Sequence, residues 1–98
     1  MQGHFNGLTP AEDELLTLLA EECSEVIKAV CKIQRHGLRS HNPHGEPGVT
    51  NLDTLTREMG DVRAAMKLLC DIGMIDNDAV INDAANKLTT VHKWLHHN

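Results

Sequence analysis

Five carboxylates stand in two short runs, Glu21-Glu22-Cys23-Ser24-Glu25 and Glu58-Met59-Gly60-Asp61. Acids three or four residues apart become neighbours when the chain is helical. Grouped carboxylates protonate, recruit a Lys or Arg, or ligate a cation. The apolar residues around them narrow the choice. With about 100° of rotation per residue, Leu19, Val26 and Ile33 fall within about 40° of Leu15, and Glu22 falls about 20° to its other side. Glu22 therefore interrupts an apolar stripe, Glu25 lies at its edge, and Glu21 points further off, towards Lys28. The second run behaves alike. Leu52, Leu55, Met59, Val62, Ala65, Met66, Leu68, Leu69 and Ile72 form a broad apolar arc. Glu58 lies between the Leu55/Val62 direction and Ala65, and Asp61 lies between Ile72 and Leu68.

A buried lone carboxylate costs several kcal/mol, as an order of magnitude, and facing pairs cost more. Lys28 and Lys32 point away from Glu22, and Arg57 and Arg63 lie opposite Asp61, so no cation of the chain is placed to compensate. A hard divalent ion is the partner that remains. All-oxygen ligation suits Mg²⁺, with Mn²⁺ as a substitute. A solvated acidic face is the bland alternative for such a run, and the position of Glu22 and Asp61 on the wheel argues against it.

Three helices must position these acids. The first opens at Thr9-Pro10-Ala11-Glu12, where Thr9 suits an N-cap, Pro10 the first helical position and Glu12 a capping box. It runs to Gly37, a natural terminator. GLRSHNPHGEPGVT, residues 37–50, holds three Gly and two Pro and reads as a long loop. The second helix runs from Thr50 or Asn51 to near Gly73. The third starts after Asp76, its N-cap, with Ile75 stapling to Val80, and continues through Ile81, Leu88, Val91 and Leu95 to the C-terminus. Nothing alternates with period two. The fold class is all-α, a three-helix chain forming an antiparallel helical bundle.

Composition bounds the rest. The 98 residues form one domain, 1–98. A net charge of -5 argues against a nucleic-acid partner. No apolar run reaches the roughly 18 residues of a membrane span, and MQGHFNG lacks a signal-peptide core. Cys23, Cys31 and Cys70 are odd in number and pair in no zinc-knuckle spacing, so they read as reduced thiols packed as small apolar residues in a cytoplasmic protein. With one Phe, one Trp and no Tyr, the core is thin. Completion by a homodimer, or a dimer of dimers, is expected.

The two acidic runs in order on successive helices resemble the MazG-like all-α nucleoside triphosphate pyrophosphohydrolases, a superfamily that includes the dimeric dUTPases and the phosphoribosyl-ATP pyrophosphohydrolases. LLAEECSEVIKAV and NLDTLTREMGDVRAAMKLL are similar as well, and the likeness covers roughly residues 10–95. The resemblance implies hydrolysis of a (deoxy)nucleoside triphosphate between the α- and β-phosphates, with Mg²⁺ held by Glu22, Glu25, Glu58 and Asp61. Glu21 matches the first glutamate of the family motif, by resemblance a group to orient water or bind a further metal, and Glu21 or Glu25 is the group to accept the water's proton or aim it at the α-phosphorus. Two departures stand out. The segment between the motifs, residues 26–57, is 32 residues long, longer than in many members. Where members carry phosphate-binding Lys, Asn or Arg on the last helix, only Lys87, beside Asn86, is a match.

Other residues divide between structural and chemical readings. Lys28, Lys32 and Arg35 either complement the helix dipole or contact phosphates. His36, Arg39, His41 and His44 lie at or in the loop, which could close over a nucleotide. His92 and His96 are four apart but lack the Cys to complete a tetrahedral zinc set. Trp94 reads as core, and Phe5 as packing on the core or on a base. There is no P-loop and no nucleophile triad. A narrower substrate (dUTP or phosphoribosyl-ATP), a helical dimerisation module with a structural ion, and a nucleotide sensor are the alternative functions.

Overall fold

A computed structural model describes residues 6–97. Among the described residues the order is α1 (Pro10–His36), α2 (Asn51–Asp71), α3 (Asn77–Thr90) and a 3₁₀ turn at Val91–Trp94, with no strand. Each helix starts where its side chains supply the missing acceptors. Thr9 and Glu12 form a reciprocal capping box, as do Thr50 and Asp53. The Thr50 backbone and hydroxyl hydrogen bonds hold the Asp53 carboxyl below its ordinary value. Asp76 accepts from the Asp78 N–H at the head of α3. α1 ends at Gly37, whose φ of 92° lies in the region open to glycine and whose N–H donates to the Ile33 carbonyl.

The loop is tied down at its base. The Asn51 N–H donates to the Ser40 carbonyl at 2.8 Å and the Leu52 N–H to the Leu38 carbonyl at 3.0 Å. These are first-turn donors with no partner inside α2, so the loop satisfies what the helix cannot. The Asn51 amide nitrogen also donates to the Gly37 carbonyl at 3.1 Å. The end of α1 is thereby bound to the start of α2, and the two helices run antiparallel from that clasp. Ala29, Ala65 and Leu69 are buried along the body.

α3 departs from this hairpin. It packs extensively against neither α1 nor α2 within one chain. An apolar cleft of 770 Å³ opens between α2 and α3, lined by Met66, Cys70, Val80, Ile81 and Ala84 among others. The expected helix to the C-terminus stops at Thr90 and tightens to the 3₁₀ turn. Trp94, read as core from sequence, is 73% exposed in the single chain, and Leu88 on α3 is 69% exposed. Cys23 and Cys31 are exposed rather than packed, and Cys70 is half-buried. Phe5 lies outside the described residues.

The radius of gyration is 17.2 Å, against about 13 Å for a compact domain of this length. The accessible surface is 7904 Å², against about 5,500 Å² for a folded monomer of this mass. Among the described residues only four are buried, and one of them is the polar Asn51. One chain therefore leaves much of its apolar surface uncovered. Among the described residues no helix is long and apolar enough to cross a membrane.

Candidate metal centre

The clasp sets the register that brings the acids together. Glu22 sits midway along α1, and its helix partner at that height is the stretch of α2 that holds Glu58 and Asp61. One carboxylate oxygen from each of Glu22, Glu58 and Asp61 lies within 4.8 Å of the other two. This is the one such group of metal-capable side chains among the described residues. Glu22 and Glu58 are half-buried and Asp61 is exposed. The cluster thus occupies the edge of the α1–α2 seam, where the wheel had placed it inside the core. A wheel gives direction around one helix but not how far a neighbouring helix extends over it.

Glu25 and Glu21 do not join this group of three. Both are exposed, and the Glu21 carbonyl accepts the Ser24 hydroxyl at 2.7 Å. They still act on Glu22 through charge. Desolvation at the seam is the first cause that holds the Glu22 carboxyl above its ordinary value, followed by the negative charges of Asp61, Glu58, Glu25 and Glu21. Among the described residues no Lys or Arg ion-pairs with these carboxylates. Among the described residues the side-chain ion pairs are Arg57–Glu46 at 3.9 Å and Lys67–Asp71 at 3.0 Å, both exposed and neither at the cluster.

The oxygens fit a hard cation. Ligands about 2.0–2.1 Å from Mg²⁺ can be at most about 4.2 Å apart, and calcium and manganese permit somewhat more. Asp61, the exposed member of the group, is the carboxylate least confined by neighbours. The donor set is all oxygen, leaves room for water, and excludes the thiolate and imidazole ligands of a structural zinc site. His92 and His96 enter no metal-capable group among the described residues.

The remaining sequence candidates separate by place. Lys28, Lys32 and Arg35 line a cleft of 670 Å³ at the C-terminal end of α1, together with His36, His41 and Asn51. Arg39 and His44 do not line it. Lys87 stands exposed on α3 and is not brought to the acids within one chain. Asn51 was not singled out by the sequence. Its signal was the Thr50–Asp53 capping box, which fixes it as the first helical residue, but its link to Gly37 arises only when the loop closes.

The family model for the MazG nucleotide pyrophosphohydrolase domain matches residues 11–96. No curated protein and no solved structure matches the chain.

The raised Glu22 value has a consequence for stability. A carboxyl raised on folding binds more protons folded than unfolded. Its support for the metal-free fold is therefore complete at low pH and is lost as pH rises from the ordinary glutamate range through the raised value. In chelator, the melting temperature of the wild type should fall across that window more steeply than that of Glu22→Gln. Added Mg²⁺ at neutral pH should raise it in the wild type and leave the variant unmoved. Parallel pH profiles for the two proteins would contradict this electrostatic account.

Proposed function

The chain belongs to the MazG nucleotide pyrophosphohydrolase family, and from that premise we propose that it hydrolyses (deoxy)nucleoside triphosphates between the α- and β-phosphates in a Mg²⁺-dependent reaction. The products are the nucleoside monophosphate and pyrophosphate. The observation that carries this reading is the convergence of Glu22, Glu58 and Asp61 oxygens within 4.8 Å, without an ion-paired Lys or Arg at the cluster among the described residues.

Glu22, Glu58 and Asp61 would hold the divalent ion, with Glu25, next along α1, as the fourth carboxylate. The ion, when bound, supplies positive charge to the phosphate oxygens and lowers the pKa of a coordinated water. The chain's own groups do the rest. Glu21 or Glu25, four residues apart on one exposed flank of α1, accepts the water's proton. Water oxygen bonds to the α-phosphorus, and the bond from that phosphorus to the bridging oxygen breaks. Pyrophosphate departs with that oxygen. Lys28, Lys32 and Arg35 contact the phosphates. The contribution is positioning and fixed charge rather than covalent catalysis.

The uncovered surface supports a homodimer. The exposed faces of Ile27, Met59 and Leu88 and the wedge beside α3 provide the apolar area that a second copy would bury, completing an antiparallel bundle. Lys87 would then serve from the α3 of the second copy.

A pyrophosphate-release screen over the eight common (d)NTPs should show turnover with Mg²⁺ and none in chelator. Glu22→Gln and Asp61→Asn should each lower turnover by more than about 100-fold while helical circular dichroism is kept; full activity in either variant sinks the assignment. Light scattering at low micromolar concentration should return at least twice the 10.8 kDa of one chain. A clean monomer there would refute the dimer.

A further inference from the structure

One flank of α1 changes sign along its length. In helical projection Glu21, Glu25, Lys28, Lys32 and Arg35 fall within a sector of about 80°. The first two are acidic and the next three basic, so the flank that leaves the acidic cluster becomes cationic from residue 28. The 37–50 loop folds against this basic end and forms with it the cleft of 670 Å³. No carboxylate lines the cleft. This is unexpected in a chain with 14 Asp and Glu against 9 Lys and Arg. A third of the chain's cationic side chains therefore share one acid-free concavity, and none of the three has an ion-pair partner among the described residues.

The wall of the cleft is built in advance. Asn51, 8% exposed, lines it while its amide nitrogen is fixed on the Gly37 carbonyl at 3.1 Å. Ser40, another lining residue, is held through its carbonyl by the Asn51 N–H. Both bonds join protein to protein, so the concavity does not wait for a ligand to form. Unpaired Lys and Arg in a concave site draw multiply charged oxyanions, and Arg can contact two phosphate oxygens at once. Along the axis, Lys28 stands about 9 Å and Lys32 about 15 Å from Glu22. Arg35 stands about 20 Å away, so the gap to the acidic cluster is narrowest at Lys28, at the near end of the cleft.

We propose that this cleft is a metal-independent subsite for the diphosphate end of the substrate, and that it retains pyrophosphate after cleavage. The identity of the substrate rests on the hydrolytic reading above; the affinity of the cleft for a condensed phosphate does not. Two consequences follow. The substrate lies with its phosphate tail towards the C-terminal end of α1 and its nucleoside towards the N-terminal end. Pyrophosphate, the product, competes with the substrate.

The test is calorimetric titration of inorganic pyrophosphate into the full chain in chelator, beside inorganic phosphate and a nucleoside monophosphate. Wild type should bind pyrophosphate at least 10-fold more tightly than either of the other two. Lys32→Gln/Arg35→Gln should lose at least 10-fold of that affinity with unchanged circular dichroism. Arg35→Gln alone, at an exposed residue, should lose part of it. In turnover assays pyrophosphate should inhibit competitively, with an inhibition constant at least 10-fold higher in the double variant. Equal pyrophosphate binding by wild type and variants, no binding in chelator, preference for the monophosphate, or binding without competition would each overturn the proposal. The two readings fail separately: a chain that binds pyrophosphate through Lys32 and Arg35 but cleaves no nucleotide keeps the anion site and loses the hydrolase. A chain that cleaves nucleotides but binds no pyrophosphate does the reverse.

Discussion

Three carboxylate oxygens within 4.8 Å of one another, with no basic side chain paired to them among the described residues, are the constraint around which this molecule is organised. Like charges at that spacing repel, and part burial of Glu22 and Glu58 strengthens the repulsion. The chain lessens the cost by keeping the group at the edge of the α1–α2 seam, where Asp61 reaches solvent, and by holding the Glu22 carboxyl above its ordinary value. Neither device removes it. The α1–α2 clasp keeps the acids facing, because Asn51, Leu52, Gly37, Leu38 and Ser40 lock the end of one helix to the start of the next. A pair of helices free to slide would separate the charges.

Much of this was legible in the residues. Thr9, Thr50 and Asp76 each cap as their side-chain chemistry requires, and Gly37 ends α1 where its left-handed freedom is needed. The helix wheel put Glu22, Glu58 and Asp61 on facing sides because periodicity is a local property. What the wheel could not show is what lies opposite. Trp94 and Leu88 were apolar and in phase, yet they are exposed in one chain because α3 packs along neither of its neighbours. Cys23 and Cys31 miss the seam for a similar reason: small apolar character says nothing about which neighbour arrives. Asn51 escaped notice since its bond to Gly37 spans 14 residues of loop. Glu25 shares the motif but stays outside the group of three, because it leaves the seam by rotation around α1.

The molecule is therefore a two-signed helix pair with an unfinished body. Along α1 the charge passes from the acidic cluster to the basic cleft beneath the loop, a gradient that complements a ligand carrying both a cation and a phosphate tail. α3 and the apolar faces beside it offer the surface that a second copy would cover. The acidic edge and the basic cleft belong to the α1–α2 hairpin, and the uncovered flank to α3 and the faces beside it, each set by a different stretch of sequence.

The most direct test is a titration of Mn²⁺, read by the electron paramagnetic resonance of the free ion, in the absence of nucleotide. The account predicts that the wild type removes the free signal in proportion to protein, and that Asp61→Asn and Glu58→Gln release it. A free-ion signal that is the same with and without the wild-type chain, up to millimolar Mn²⁺, would contradict it.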